Sequence, residues 1–275
     1  MDYRILWIHG IGPYSAGYSV AWDQVYNPYL NFPDTDYLEV LWRDVFTAAG
    51  SSSGSGTNEI SIPLTPQEQV AEAEVRKALT TVFLARATAQ LQSPTLLGTW
   101  SEITSKAAAG QALVPYWLAQ PDAFLGEFVF YLVNRSVRNA IKEKAKAQLR
   151  MLANSGDKCS FIAHSWGTVV AYESLIDLEV ELPTLHLTNL FTLGCPLWLV
   201  HYLLDDRSGR KPRNVAKWVN IHAQGDPIGS GLTPGFQVDE DHAVPNFGGS
   251  DAHESYFLDG NMAVQRDIIA AHVLG

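Results

Sequence analysis

Cys159-Ser160-Phe161-Ile162-Ala163-His164-Ser165-Trp166-Gly167-Thr168-Val169-Val170-Ala171 sets an apolar run against a tight turn and then a helical pattern that continues to Leu178. A short apolar run bounded by turn residues predicts a strand buried on both faces. The same order recurs upstream. Arg4 to Ile8 is apolar and is closed by His9-Gly10-Ile11-Gly12-Pro13, residues 19–31 have room for a helix, and Tyr37 to Arg43 is a second strand candidate. Downstream, Leu190 to Leu193 and Val215 to Ile221 are further strand candidates, and Ala263 to Val273 closes the chain as a helix. Strands alternating with helices predict an α/β fold, a mostly parallel central sheet with helices on both faces.

Residues 46–135 interrupt that alternation and predict a helical insertion in one domain spanning 1–275. Ala49 to Asn58 is rich in Gly and Ser and predicts a surface loop. Thr65-Pro66-Gln67-Glu68 has the form of a capping box, with Val75, Leu79, Val82 and Phe83 following at helical spacing. More helix is expected over roughly 95–133, broken by Pro94, Pro115 and Pro121. From Ser136, Val137, Ile141, Ala145, Leu149 and Leu152 mark another helix, and Lys142, Lys144, Lys146 and Arg150 are expected on its solvated faces.

Composition narrows the function classes. At 275 residues with 47% hydrophobic side chains, the chain has enough apolar material for a sizeable core. A net charge of −10 argues against a nucleic-acid binder, since phosphate contacts need a basic footprint. Two cysteines, Cys159 and Cys195, are expected at opposite ends of the sheet and unpaired. No stretch is apolar enough for a signal peptide or a transmembrane span, so a cytoplasmic enzyme is the expectation. From Trp218 to Gln265 the chain carries Asp226, Asp239, Glu240, Asp241, Asp251, Glu254 and Asp259 with no Lys or Arg. Without calcium-loop spacing these predict a solvated acidic rim rather than a metal site.

The chemistry begins at Ala163-His164-Ser165-Trp166-Gly167. A serine between small residues two before and two after, in a strand–turn–helix context, has the form of a nucleophile elbow, although alanine stands where glycine is usual. A serine hydroxyl needs a base, and the base needs an orienting acid. Asp226, in Gly225-Asp226-Pro227 just beyond the strand candidate ending near His222, stands where open α/β sheets build their sites. His242 and His253, both in loop-like sequence after that strand, are the candidate bases.

Ile8 to Gly12, Ala163 to Glu173, Leu193 to Leu197, Asn220 to Pro227 and Ala252-His253-Glu254-Ser255-Tyr256 follow one another in the order of the α/β-hydrolases. The chain resembles the lipase and serine-esterase branch that includes relatives of GPI inositol deacylase, along nearly its whole length except residues 46–135. The resemblance implies an α/β-hydrolase fold with Ser165 as nucleophile, Asp226 as acid and His253, in the closing pattern, as base. It also implies an oxyanion hole from the backbone N–H groups of Trp166 and Ile11, with Gly12 as the alternative and Gly10 and Gly12 allowing close approach. His9 is then read as orienting that loop.

The expected activity is hydrolysis of a small-molecule or lipid ester through an acyl-enzyme, with no cofactor or metal. Thioester or amide hydrolysis, acyl transfer, or a catalytically silent binding protein are the alternatives, because the motif is common to all of them. The aromatics of 94–133, Trp117 and Phe128 among them, are read either as core or as the apolar lining of an acyl pocket under a cap.

Overall fold

Strand β1 (Tyr3–Ile8) lies at the junction of the sheet, with β2 (Tyr37–Val40) on one side and β3 (Lys158–His164) on the other. Beyond β3 come β4 (Leu187–Leu193), β5 (Val215–Ala223) and β6 (Glu240–Val244), giving the order β2-β1-β3-β4-β5-β6. Every pairing is parallel. Ile8 pairs with Ala163, His164 with Leu193, and Leu193 with Ile221. The loops after β1, β3, β4 and β5 therefore emerge together along one edge. After β1 the chain moves to one side and later returns to the other, so the crevice between the β1 and β3 loops is the topological switch point. The computed structural model describes residues 3–12, 14–33, 36–48, 64–91, 121–247 and 252–275.

Alternation along the strands divides the core in two. Leu6, Ile8, Phe161 and Ala163 face one side, while Ile5, Trp7 and Ile162 face the other. On the first side the sheet is covered by α5 (Arg135–Ser155) and α6 (Gly167–Glu181), through Val137, Ile141, Ala145, Leu149, Val170 and Leu175. On the second it is covered by α1 (Ser19–Leu30) and the closing helical pieces Met262–Val264, Gln265–Ala270 and Ala271–Leu274. Helices on both faces of a parallel sheet make this an α/β fold. Among the described residues no helix is long and apolar enough to cross a membrane.

The expected insertion contributes α2 (Asp44–Ala48), α3 (Pro66–Leu91) and α4 (Pro121–Val133). The capping box at α3 forms as its sequence predicts: Thr65 N–H donates to Glu68 Oε2 at 2.8 Å, and Glu68 N–H returns to Thr65 Oγ1 at 3.3 Å. Asn134 stops α4 and starts α5, its side chain accepting from the Val137 N–H at 2.9 Å. Leu79, Phe128, Val129, Phe130 and Tyr131 all enter the core on the α5/α6 face. The Gly/Ser stretch, Pro94, Pro115 and Trp117 lie outside the described residues.

Three expectations are corrected. Residues 240–244 form a strand where loop was expected. This edge strand leaves most of its side chains partly exposed, so Glu-Asp-His-Ala carries no apolar signal to read. Lys142 and Lys146 are only 5% and 6% exposed. Each meets a carboxylate of α6, Lys142 with Asp177 and Lys146 with Glu181, at 2.9 Å in both pairs. The acids of 218–265 form a solvated rim only in part: Glu254 and Asp259 are exposed and Asp226 is buried, while Asp251 lies outside the described residues. Asp239 pairs with Lys211 and Glu240 with Lys217, cations just outside the stretch that was counted.

One buried ion pair joins three helices. Arg138 of α5 donates through Nε to Glu173 Oε2 of α6 at 3.0 Å and through a terminal nitrogen to Oε1, while Tyr131 of α4 donates to Oε2 at 2.7 Å. Removing one partner strands a charge without water. Arg138→Leu is expected to destabilise the fold by about 3–5 kcal/mol in urea denaturation. A change below about 1 kcal/mol, the range of exposed pairs, would contradict the pairing.

Candidate active site

Ser165 follows the last residue of β3 with φ at +53°, a left-handed conformation that non-glycine residues rarely adopt. Its cost, on the order of 1–3 kcal/mol, is offset by the hydrogen bonds around it. Ser165 N–H donates to Leu193 O at 2.8 Å, and its own carbonyl accepts from Thr168 N–H at 3.0 Å and Thr168 Oγ1 at 2.7 Å. The bend turns the chain straight into α6, leaving Trp166 at the helix N-terminus.

The β1 loop closes on this turn at the switch point. A Cβ on Gly10 would lie 2.5 Å from Ser165 Cβ and 2.9 Å from Oγ, and one on Gly167 would lie 2.5 Å from His9 O. Neither position tolerates a side chain, which is why small residues stand there. His9 holds the loop by its ring. It stacks between Tyr14 and Trp42 at 4.5 and 4.7 Å, its Nδ1–H donates to Gly10 O at 2.6 Å, and Trp42 Nε1–H donates to His9 O at 2.9 Å. Burial pulls His9 down to about 3, so it stays neutral near pH 7 and serves as a prop for the loop. The backbone N–H groups of Ile11 and Trp166 make no hydrogen bond among the described residues. Gly12, the alternative donor that the resemblance implies, sits against the Tyr14 ring.

His253 and Asp226 complete the arrangement. Ser165 Oγ–H donates to His253 Nε2 at 2.8 Å, and His253 Nδ1–H donates to Asp226 Oδ1 at 3.0 Å, with Oδ2 at 3.1 Å. All three side chains are buried. Asp226 Oδ1 also accepts from Ile228 N–H and Gly229 N–H at 2.8 and 2.9 Å, and Oδ2 from Tyr256 Oη–H at 2.6 Å. Burial alone would raise the Asp226 carboxyl. The His253 charge and these hydrogen bonds outweigh it and hold the group well below the usual carboxylate range.

The rival groups are engaged elsewhere. His242 stands on β6 with Nε2 2.7 Å from Glu240, Asp239 is held by Lys211, and Asp241 accepts from the Leu232 and Thr233 N–H groups. Sequence reasoning assigned no role to Tyr256, His164 or Gly194. Tyr256 accepts from the Ala223 N–H at 2.9 Å while donating to Asp226, tying the acid to the end of β5. Gly194 lies against the His253–Asp226 hydrogen bond, where a Cβ would come within 2.9 Å of the imidazole. A glycine just after a strand on the site edge is the signal that could have found it. Phe128 is buried in the core and stands edge-on to the Trp166 ring. Both cysteines are free and buried. Among the described residues no group of three His, Cys, Asp or Glu is arranged to hold a metal ion.

Comparison with protein-family models, with curated proteins and with solved structures returns no match, so the functional reading rests on this geometry.

Two buried neutral histidines give the site a pH signature. His9 and His164 take up a proton only near pH 3 in the folded state, because burial penalises the charged ring, whereas in the unfolded chain they do so near pH 6.5. Across that window the unfolded state binds more protons, so stability falls as pH drops below about 6.5. The slope is at most about 1.4 kcal/mol per pH unit for each histidine. Urea midpoints at about pH 7 and pH 5 should show this loss, and His164→Gln should make it shallower. Equal slopes in the two proteins would contradict the assignment.

Proposed function

We propose that the chain is a serine hydrolase of the α/β-hydrolase type that cleaves carboxylic esters through an acyl-enzyme. The observation that carries this reading is the run of hydrogen bonds from Ser165 to His253 to Asp226, anchored on a serine at φ +53°. A serine in a plain βα turn has no need of a strained backbone, nor of a histidine whose far nitrogen is held by a buried carboxylate.

In the proposed reaction Ser165 Oγ attacks the ester carbonyl carbon as His253 Nε2 takes the hydroxyl proton. The carbonyl oxygen becomes an oxyanion facing the Trp166 and Ile11 N–H groups, each such donor contributing ~10²–10³ in rate where it has been removed from other enzymes. Asp226 keeps the Nδ1 proton in place and stabilises the imidazolium. Collapse breaks the bond to the alcohol, which leaves with the Nε2 proton. Water then adds to the acyl-enzyme by the same path in reverse order, releasing the acid and restoring Ser165. The substrate class is a small-molecule or lipid ester, and the chain's own residues supply every proton transfer.

A fluorophosphonate probe and a p-nitrophenyl ester series test this directly. Wild type should be labelled covalently and Ser165→Ala should be neither labelled nor active while remaining folded. Absence of wild-type labelling would overturn the reading in favour of a silent binding protein. Asp226→Asn is expected to lose ~10⁴ in turnover, the loss seen when a serine-protease triad acid is replaced and the imidazole takes the wrong tautomer. His242→Ala should keep wild-type turnover, since His242 is committed to Glu240. A large loss there with little in His253→Ala would exchange the two histidines.

A further inference from the structure

His164 is the residue that the proposed mechanism leaves without a task, although it sits between the nucleophile and the base. It is fully packed, the last residue of β3 and the immediate neighbour of Ser165. Its Nε2 lies 2.9 Å from the backbone oxygen of His253, 89 positions along the chain. A carbonyl only accepts, so Nε2 carries the proton. The ring's other nitrogen, Nδ1, is buried and has no partner among the described residues. A second proton there would be a buried donor with no acceptor, which excludes the charged ring. Phe257 and Trp22 stand edge-on to the imidazole at 4.9 and 6.1 Å, Tyr256 at 5.8 Å, and the His253 ring faces it at 4.7 Å.

We infer that His164 is a positioning residue, a neutral imidazole whose Nε2–H pins the His253 backbone and fixes the distance between the base and Ser165. The inference rests on the serine-hydrolase reading. The side-chain link from Ser165 through His253 to Asp226 must loosen and reform as the proton moves. The His164 link involves no reacting atom and stays in place throughout. It joins the backbone beside the nucleophile to the backbone of the base, so the Oγ–Nε2 separation is held even while the proton is on the imidazole. A neutral ring beside His253 also adds no second positive charge when the imidazolium forms. Burial, which pulls the His164 ring down to about 3, agrees with that state.

The test separates positioning from mere packing. Fluorophosphonate inactivation, followed against probe concentration, gives kinact and KI. His164→Leu is expected to lower kinact by about 10- to 100-fold with KI held within about twofold, because misplacement slows the chemical step without weakening the encounter. His164→Gln, whose amide N–H reaches the same depth, should recover most of the loss. A Leu variant with wild-type kinact, or a Gln variant as slow as Leu with both folded by near-UV circular dichroism, overturns the proposal. An independent reading needs no variant. Long-range ¹⁵N–¹H correlation of histidine-labelled wild type should show one imidazole protonated at Nε2 and bare at Nδ1, unchanged between about pH 5 and 8. If the His164 ring titrates in that range or carries its proton on Nδ1, the proposal fails. Wild type that resists labelling altogether would remove both readings, whereas labelled wild type with an indifferent His164 removes only this one.

Discussion

Backbone contact between the loop after β1 and the turn after β3 is the constraint on which the rest of the site depends. Parallel pairing of Ile8 with Ala163 brings the two strand ends level, and the absence of side chains at Gly10 and Gly167 lets the loops touch. Once they touch, Ser165 has little room except a left-handed turn, and its oxygen must project from the sheet edge toward the loops after β4 and β5. The Leu193 carbonyl that accepts from Ser165 N–H ties the third strand into the same contact. A residue with a Cβ at position 10 would push Ser165 and the β1 loop apart, and the proposed nucleophile and proposed oxyanion donors would be displaced together.

Low dielectric surroundings then decide which groups carry charge. His9 and His164 are enclosed by aromatic rings, and burial keeps both neutral, each with one N–H spent on a backbone carbonyl. Asp226 is as deeply buried but remains charged, because two backbone N–H groups, one phenol and one imidazole converge on its two oxygens. The difference lies in the partners rather than in the depth. One anion is fully hydrogen-bonded, and the imidazole of His253 stands between it and Ser165, the place that the proposed reaction gives to a base. That separation of roles is what acid–base chemistry at neutral pH requires.

Much of the fold was legible because the inner strands are nearly continuous apolar runs and the long helices show apolar periodicity, with a capping box opening α3. β1, β3, α5 and the Thr65 capping box all stand within a residue or two of where the sequence places them. β6 was hidden because an edge strand with partly exposed side chains has no hydrophobic signature. The burial of Lys142 and Lys146 was hidden for a different reason: their partners lie on another helix some 35 residues away, and local periodicity cannot report a cross-helix pair. At the site, Ser165 and Asp226 announce themselves by local turn chemistry, whereas choosing between His242 and His253 depended on resemblance alone. The structure brings His253 to Ser165 and leaves His242 on β6. Tyr256 and His164 were silent because each acts through long-range hydrogen bonds, contacts with no sequence period.

The helical insertion meets the site through Trp166, and the kind of contact limits what it can do there. Phe128 and Tyr131 of α4 stand edge-on to the Trp166 ring, and Tyr131 donates to Glu173, which Arg138 also holds. Any movement of this end of α4 would break the buried hydrogen bond from Tyr131 to Glu173 and uncover aromatic surface beside the residue that supplies a proposed oxyanion donor. Rotating it away would therefore loosen the proposed catalytic constellation instead of merely opening a path to it. The C-terminal half of α4 thus belongs to the scaffold that holds the elbow. Phe128 shapes the site from behind, by fixing where the Trp166 ring, and with it the first turn of α6, can sit.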